Sequence, residues 1–340
     1  MGAKVSILIT CYNLEDSINN SISSVVSQEL PFEWELLIGD DGSNDKSIEI
    51  IQKWIYQYPK NIKLYTMSRD KDENINGTRA ARNRANLLRK ASGEYLIFLD
   101  GDDYFLGTEK LKNQVEILEN KEYSHCSGVA HNIIAYDVEK NTKKYLADVK
   151  LRDGVIDTKK YIRELYFHTN TILFRKKCLD MMLNPLYCDY LNDNFITFII
   201  LQYGELYYLH NAWAQYNLTG QGLWTGKKRT YGCFRNIILY DLERHINPSL
   251  SKEIFLRNIS NFRFIFHNYT LGDKALIFPL VKELSDPPFH KTILLYKLNS
   301  NLNTKEKKEL LMLKLKVFLN TNIIRFKRFP IYIKKVLRRY

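Results

Sequence analysis

No apolar run in this 340-residue sequence approaches the roughly eighteen residues that a membrane-crossing helix needs, so a spanning protein is not expected. Cysteine pairing is missing too. The five cysteines (Cys11, Cys126, Cys178, Cys188, Cys233) are odd in number and scattered, with neither a CxxC pair nor a histidine at zinc-ligand spacing. That excludes a disulfide scaffold or zinc ribbon and points to a reducing, cytoplasmic compartment. The opening Met1 Gly2 Ala3 Lys4 runs directly into a strand-like segment, so no secretory leader is expected. No GxxxxGK(S/T) loop occurs, and no GxGxxG follows the first apolar segment. P-loop nucleotide hydrolysis and a dinucleotide-binding fold therefore lack support. Internal repeats and low-complexity linkers are also absent.

Acidic residues are scarce in one place. Residues 301–340 hold twelve Lys and Arg against two acids, while the rest of the chain is nearly balanced, with 38 basic and 36 acidic residues. Almost all of the net charge of +12 thus sits in this tail, interleaved with Leu, Ile, Val and Phe. Such a mixture suits an anionic lipid surface, where apolar side chains insert and each nearby cation adds about 1 kcal/mol. It also suits a solvated helical face packed on its own domain. No nucleic-acid motif accompanies the charge, so nucleic acid is not an expected partner. The overall 45% hydrophobic and 26% charged content is that of a globular chain.

Strand-like and helix-like segments alternate up to about residue 105. Lys4 to Thr10, Trp34 to Gly39, Asn61 to Met67 and Glu94 to Leu99 read as strands. Helices are expected from Asp16, from Asn44 or Asp45, and over Asn76 to Ala91. This predicts an α/β fold whose central sheet is mostly parallel and flanked by helices, with ligands beyond the carboxyl ends of the strands. Later segments mix strands (within 123–150, Thr169 to Phe174, Glu205 to His210, Trp213 to Asn217) with short helices (Asp157 to Leu165, Asp193 to Tyr203). The glycine-rich stretch Thr219 to Gly226 marks a boundary. The expected domains are 1–226, whose pattern changes after about residue 105, and a mainly helical region over 227–340. In the latter, helical periodicity covers Phe234 to Ile246, Ser251 to Tyr269, Lys274 to Leu284 and Lys305 to Leu319. The last region could pack on a partner, which leaves an oligomer open.

The fourth strand ends in Asp100 Gly101 Asp102 Asp103. Clustered carboxylates at the end of a buried strand require a counter-ion, and a hard divalent metal completed by phosphate oxygens meets that need. Arg79 and Arg82, three apart on one helical face, can hold phosphate or a ribose and base edge, whereas Arg84 and Arg89 are expected to face solvent.

Four motifs in order, Val5 to Asn13, Gly39 to Asp45, Asn76 Gly77 with Ala81 Arg82 Asn83, and Gly93 to Asp103, resemble those of the family 2 glycosyltransferases. The resemblance is strong over the first 105 residues and loose over 106–226, and it implies a nucleotide half (1–105) and an acceptor half (106–226). It implies the GT-A fold, a nucleotide-sugar donor, a manganese or magnesium ion (Mn2+ or Mg2+) and inversion at the anomeric carbon. By position, Thr10, Tyr12 and Asn13 would line the nucleotide pocket, with Tyr12 beside the base. Glu15 would reach the ribose or serve a helix dipole. Asp41 would accept a hydrogen bond from the base, with Asp40 supporting the turn, and Arg82 would contact the nucleotide. Asp100 would approach ribose and metal, and Asp102 would be the principal metal ligand. Asp103 suits either a helix cap or an acceptor contact. Thr10 stands where many members have Pro, and Ala85 where many have Gly.

Inverting transfer needs a base opposite the leaving group. The matching stretch is Tyr190 to Phe195, with Asp193 as the candidate base or as the cap of the following helix, and Asp189 in reserve. Gln221 and Trp224, in the glycine-rich stretch, have the composition of a lid over donor and acceptor, or of a plain surface loop. His168 lines the acceptor cleft or is an ordinary buried histidine. The expectation is an inverting, metal-dependent bacterial transferase. It would move a sugar, from UDP by preference, to a glycan or lipid-linked acceptor for capsule, lipopolysaccharide or a related polymer, at the inner face of the cytoplasmic membrane. The alternative is a non-catalytic membrane- or nucleic-acid-binding protein with a degenerate transferase domain.

Overall fold

In the computed structural model, residues 2–69, 78–146, 151–218 and 229–268 are described. The chain divides into two compact units, Met1–Gly226 with Ile246–Ile254, and Lys227–His245 with Phe255–Tyr340.

The first unit begins with strict β/α alternation: β1 (Val5–Cys11), α1 (Ile18–Val26), β2 (Trp34–Asp40), α2 (Ser47–Gln57), β3 (Ile62–Thr66), α3 (Thr78–Lys90) and β4 (Tyr95–Asp100). β1, β2 and β4 are apolar runs buried on both faces, so they form the middle of a parallel sheet ordered β3-β2-β1-β4. α1 packs through Ile18, Ile22 and Val25, one helical stripe. α3 is polar in composition yet sits close on the sheet, because Ala81 and Ala85 are small and Asn83 Nδ2 donates to the Gly39 carbonyl at 2.7 Å. A Cβ at Gly39 would stand 2.1 Å from Asn83 Oδ1, so this approach requires glycine.

The rest of the unit comprises β5 (Tyr104–Phe105), α4 (Lys110–Glu119), β6 (Cys126–Asp137), β7 (Thr142–Tyr145), β8 (Gly154–Ile156), α5 (Thr158–Glu164), β9 (Leu173–Arg175), α6 (Leu179–Met182), α7 (Asp193–Ile200) and β10 (Glu205–Leu218). These strands extend the sheet as β4-β9-β6-β10-β5, with β7 on β6 and β8 on β10. β9 lies antiparallel to both β4 and β6, and β10 returns parallel to β6. The parallel reading therefore holds for the first half, and the second half is mixed.

Two expected elements differ. The strand over Thr169 to Phe174 begins only at Leu173, because Thr171 turns back through its N–H and Oγ1 onto the His168 carbonyl and makes Thr169–Thr171 a 3-10 turn. The two strands over 205–217 are one, β10, whose register shifts between Leu209 and Ala212 and again between Ala212 and Gln215. In the second unit, the described residues lie on α8 (Arg229–Ile246) as far as His245 and on α9 (Ser251–Asn268) from Phe255 onward. No helix among the described residues is long and apolar enough to cross a membrane. The helices expected over 274–284 and 305–319, and the basic tail, lie outside the described residues.

A buried carboxylate knots the parallel half together. Glu35 on β2 accepts hydrogen bonds from Ser6 Oγ (2.7 Å), Ser92 N (2.7 Å) and Ser92 Oγ (2.9 Å), and Ser6 Oγ in turn accepts from Gly93 N at 2.8 Å. Burial alone would raise the Glu35 pKa, but these donors and Lys63 outweigh it and hold the carboxyl below its ordinary range. The stabilisation from this group is complete above the ordinary carboxylate range and is lost as pH falls through the depressed folded value. Glu35→Gln should therefore lower stability by about 1–3 kcal/mol at pH 7, a deficit that shrinks in urea melts at progressively lower acid pH. A deficit independent of pH would show that the charge plays no part.

Candidate functional site

The carboxyl ends of β1, β2 and β4 meet at one edge of the sheet. After β2, Asp40 builds the turn: Oδ2 accepts from Gly42 N and Ser43 N, each at 2.9 Å, and Oδ1 from Ser43 Oγ at 2.5 Å. After β1, Asn13 adopts a φ of 50° and laces the two loops, its Oδ1 accepting from Asn44 N and its own N–H donating to Ser43 Oγ, both at 2.9 Å. Glu15 Oε2 accepts from Lys46 N at 2.9 Å, so its carboxylate serves the N-terminus of α2, the neighbouring helix. Asn13 and Glu15 thus shape this corner through contacts within the protein.

The exposed ring of Tyr12 carries the Arg69 guanidinium 3.5 Å from its centroid. Beside it Asp41 is gripped by Arg79, with Nε 2.9 Å from Oδ1 and 3.2 Å from Oδ2, and Nη2 2.5 Å from Oδ1. Arg82 points elsewhere and pairs with Asp189 at 3.0 and 3.2 Å. The two arginines assigned to one helical face thus serve different carboxylates.

Arg84 corrects the expectation that it faces solvent. It is 8% exposed. Its Nη2 donates to both oxygens of Asp100, at 2.8 and 3.1 Å, and its Nη1 to the Leu191 carbonyl at 3.1 Å. The signal was in the pattern: position 84 lies between Ala81, Ala85 and Leu88, on the buried stripe of α3.

The three aspartates of the β4 end are held in three different ways. Thr10 Oγ1 donates to Asp100 Oδ1 at 2.8 Å. Burial pushes the Asp100 pKa up, but Arg84, His168 and Thr10 together bring it below the ordinary range. Asp103 is 1% exposed, with Oδ1 accepting from Asn217 N (2.9 Å) and Oδ2 from Asn170 Nδ2 (3.1 Å). Burial and the charges of Asp102 and Asp100 push its carboxyl well up. Asp103 is followed by β5, and α4 begins only at Lys110, so it is not a helix cap. Asp102 receives no hydrogen bond from another described residue, and burial with the Asp100 charge pushes it up to about 6.

Opposite this wall stands Asp193. Asn192 caps α7, its Oδ1 accepting from Phe195 N at 3.0 Å, which leaves the Asp193 carboxylate free of that task and overturns the capping alternative. Tyr166 OH donates to Asp193 Oδ2 at 2.6 Å and Thr169 Oγ1 to Oδ1 at 3.1 Å, while Arg84 Nη2 lies 4.0 Å away. Tyr166 was not foreseen, since nothing local in the sequence joins it to a residue 27 positions on. His168, 3% exposed, sits between the two walls, with Nε2 3.7 Å from Asp103 Oδ2 and 3.9 Å from Asp193 Oδ2 and its ring against Tyr216. It is buried, and it belongs to the site. Asp189 is occupied by Arg82. Gln221 and Trp224 lie outside the described residues.

One group among the described residues has metal-ligand chemistry at close quarters: Asp100, Asp103 and His168, whose ligand atoms lie within 4.8 Å of one another. Asp102 is outside that group, yet its charge has no donor beyond its own main chain and stands beside the Asp100 carboxylate, a kind of deficit that a divalent cation can relieve.

A family model described as glycosyl transferase family 2 matches residues 6–180 of the chain. A poly(ribitol-phosphate) beta-glucosyltransferase of Bacillus spizizenii is 32% identical over 155 residues, which is 45% of this chain and 23% of that protein. The Escherichia coli UDP-Glc:alpha-D-GlcNAc-diphosphoundecaprenol beta-1,3-glucosyltransferase WfaP is 37% identical over 117 residues, 34% of this chain and 42% of its own length. An uncharacterised glycosyltransferase of Haemophilus influenzae is 33% identical over 182 residues, 53% of this chain and 66% of its own. The chain thus spans less than two thirds of the length of these relatives. The crystal structure of S. aureus TarS 1-349 in complex with UDP-GlcNAc matches with a TM-score of 0.63 at 18% identity, covering 92% of this chain and 89% of that one. That likeness establishes the GT-A fold.

Asp102 offers a direct test of how the site is charged. Its proton is held more tightly in the folded chain than in the unfolded one. Its ionisation therefore costs nothing below about pH 4. The cost grows as pH rises to about 6 and stays constant above that. Asp102→Asn should then unfold at a higher temperature than the parent at pH 8 in chelator, by up to roughly 3 kcal/mol, and alongside it at pH 4. An equal or lower melting temperature at pH 8 would contradict this account.

Proposed function

This chain belongs to glycosyl transferase family 2, and we propose that it moves a sugar from a UDP-sugar to a glycan or lipid-linked acceptor, with inversion, in the synthesis of a bacterial surface polymer. The observation that carries the reading is Asp193. It is a carboxylate at the start of α7, relieved of capping by Asn192 and aimed by Tyr166 and Thr169 across from the aspartates of β4. The names of relatives that act on ribitol-phosphate polymers and on a diphosphoundecaprenol-linked sugar support the substrate class.

In this reading the base stacks at Tyr12 and donates to Asp41, which Arg79 orients from behind. Asp100, fixed by Thr10 and Arg84, faces the ribose. Arg82 reaches the nucleotide from the half-exposed edge it shares with Asp189. Asp102 and Asp100 would hold a divalent cation, manganese or magnesium, which supplies positive charge to the departing diphosphate when bound. The acceptor hydroxyl gives its proton to Asp193 as its oxygen attacks the anomeric carbon, and the bond to the diphosphate oxygen breaks on the opposite face of the sugar. The basic tail over 301–340 is assigned to the anionic inner face of the cytoplasmic membrane, where a lipid-linked acceptor would be presented.

Purified protein incubated with a panel of nucleotide sugars, a divalent cation and lipid-linked or glycan acceptors should release nucleoside diphosphate, fastest from a UDP-sugar. Asp193→Asn should lower transfer by about 10²–10⁴-fold and leave UDP binding by calorimetry within about threefold of the parent. Transfer at the parental rate by this variant would remove Asp193 from the mechanism, and binding without turnover by the parent would favour a non-catalytic module.

A further inference from the structure

The Arg84 side chain bonds both to the nucleotide-side carboxylate and to the segment bearing the proposed base. One arm of its guanidinium grips both oxygens of Asp100 at the end of β4. The other donates to the Leu191 carbonyl, two residues before Asp193 and just before the cap of α7. The same Nη2 stands 4.0 Å from Asp193 Oδ1. The position is otherwise a buried place on the apolar stripe of α3, with the guanidinium 5.9 Å from the Phe98 ring centroid and Nε left without a hydrogen-bond partner. A donor orphaned at a buried site marks a group placed for its other contacts rather than for its own satisfaction.

We propose that Arg84 is a positioning residue for transfer: its rigid fork fixes the separation between Asp100, which faces the donor, and the Leu191–Asp193 segment, which carries the base. The inference rests on the function proposed above. Two walls of the site come from parts of the chain about ninety residues apart, and in-line attack requires the base to stand at a set distance from the anomeric carbon. A planar guanidinium spans a carboxylate and a carbonyl at once with its geometry predetermined. An ammonium on a flexible stem satisfies one and leaves the other to drift. Arg84 touches neither substrate nor proton in this account. Its effect passes through Asp193.

The test is a set of variants in the full chain: Arg84→Lys, Arg84→Met, Arg84→Ala, Asp193→Asn and the Arg84→Met/Asp193→Asn double variant, with initial rates over a range of UDP-sugar concentrations. Displacing a base by about 1 Å costs on the order of 100-fold, so Arg84→Met should lose about that much in kcat, with KM for the donor moved less than about threefold. Arg84→Lys should fare little better than Arg84→Met. Millimolar guanidinium ion should restore part of the rate to Arg84→Ala and none to Asp193→Asn. In the Asp193→Asn background the Arg84→Met change should cost less than about threefold, because there is no base left to misplace.

Several results would overturn the proposal: full activity in Arg84→Lys, a loss confined to donor KM, or an Arg84→Met penalty as large without the Asp193 base as with it. If Arg84→Met does not fold, judged by its unfolding transition, Arg84→Gln with guanidinium rescue gives the same comparison. Parental turnover is measured first. If the parent transfers no sugar, the function proposed above and this role fall together, whereas a working parent with an additive cycle sinks the role of Arg84 alone.

Discussion

Everything at this site depends on the charge that accumulates where a doubly buried strand ends. β4 delivers three carboxylates within four residues to the edge of an apolar sheet, and no solvent shell is available to hold them all. The structure disposes of them unequally. Asp100 is ionised against a guanidinium and a hydroxyl. Asp103 is enclosed by one main-chain N–H and one side-chain amide, with its carboxyl pushed well up, and so contributes less negative charge than its formula suggests. Asp102 receives a hydrogen bond from its own main chain and from no other described residue. This inequality separates the three: one carboxylate anchored, one enclosed as scaffold, and one left with its carboxyl pushed up to about 6.

The change of sheet geometry after β4 follows from the same constraint. A continued parallel sheet would bring helix N-termini and strand ends to this edge but no long return segment across it. Inserting β9 antiparallel between β4 and β6 lets the chain arrive from the opposite direction, so the residues just before β9 lie over the carboxyl end of β4. That stretch, Tyr166 to Thr171, supplies donors to two of the aspartates: Asn170 to Asp103, and Tyr166 and Thr169 to Asp193. The 3-10 turn at Thr169–Thr171 makes this possible, since an extended strand would alternate these side chains between the two faces of the sheet. The irregular register of β10 brings Asn217 to bond Asp103 and the Asp102 carbonyl.

What could be read from the sequence divides along the range of the interactions involved. The four parallel strands, their helices and the polar groups at the strand ends were legible, because each depends on a local apolar run and on the residues that terminate it. Asp41, Asp100 and Asp193 all fall at the strand ends or helix start where they were expected. The partners were not legible. Arg79 with Asp41 and Arg82 with Asp189 are pairings across 38 and 107 residues, and helical spacing says only which arginines share a face. Thr169 to Phe174 reads as a strand because threonine and isoleucine favour one, and a hydrogen bond back to His168 outweighs that propensity over three residues. Asp193 at a helix start invites the capping reading until Asn192, one residue earlier, is seen to do that work.

Arg84 shows why a charged residue on an apolar stripe should not be assigned to solvent by its type. Turned outward, it would remove α3 from the sheet, since Ala81, Ala85 and Leu88 share its face; turned inward without a partner, it would bury an unpaired cation. Only an inward arginine met by a carboxylate is compatible with both the helix packing and the electrostatics. The carboxylate has to come from the strand end that α3 covers, which is Asp100. The constraint runs the other way as well. Asp100 is partly buried, and burial pushes its carboxyl up, so it relies on Arg84, with His168 and Thr10, to be held below the ordinary range. The basic helix and the acidic strand end are therefore one structural element, and the fold places the contrast between Asp100 and Asp102 there by giving a single guanidinium to two adjacent claimants.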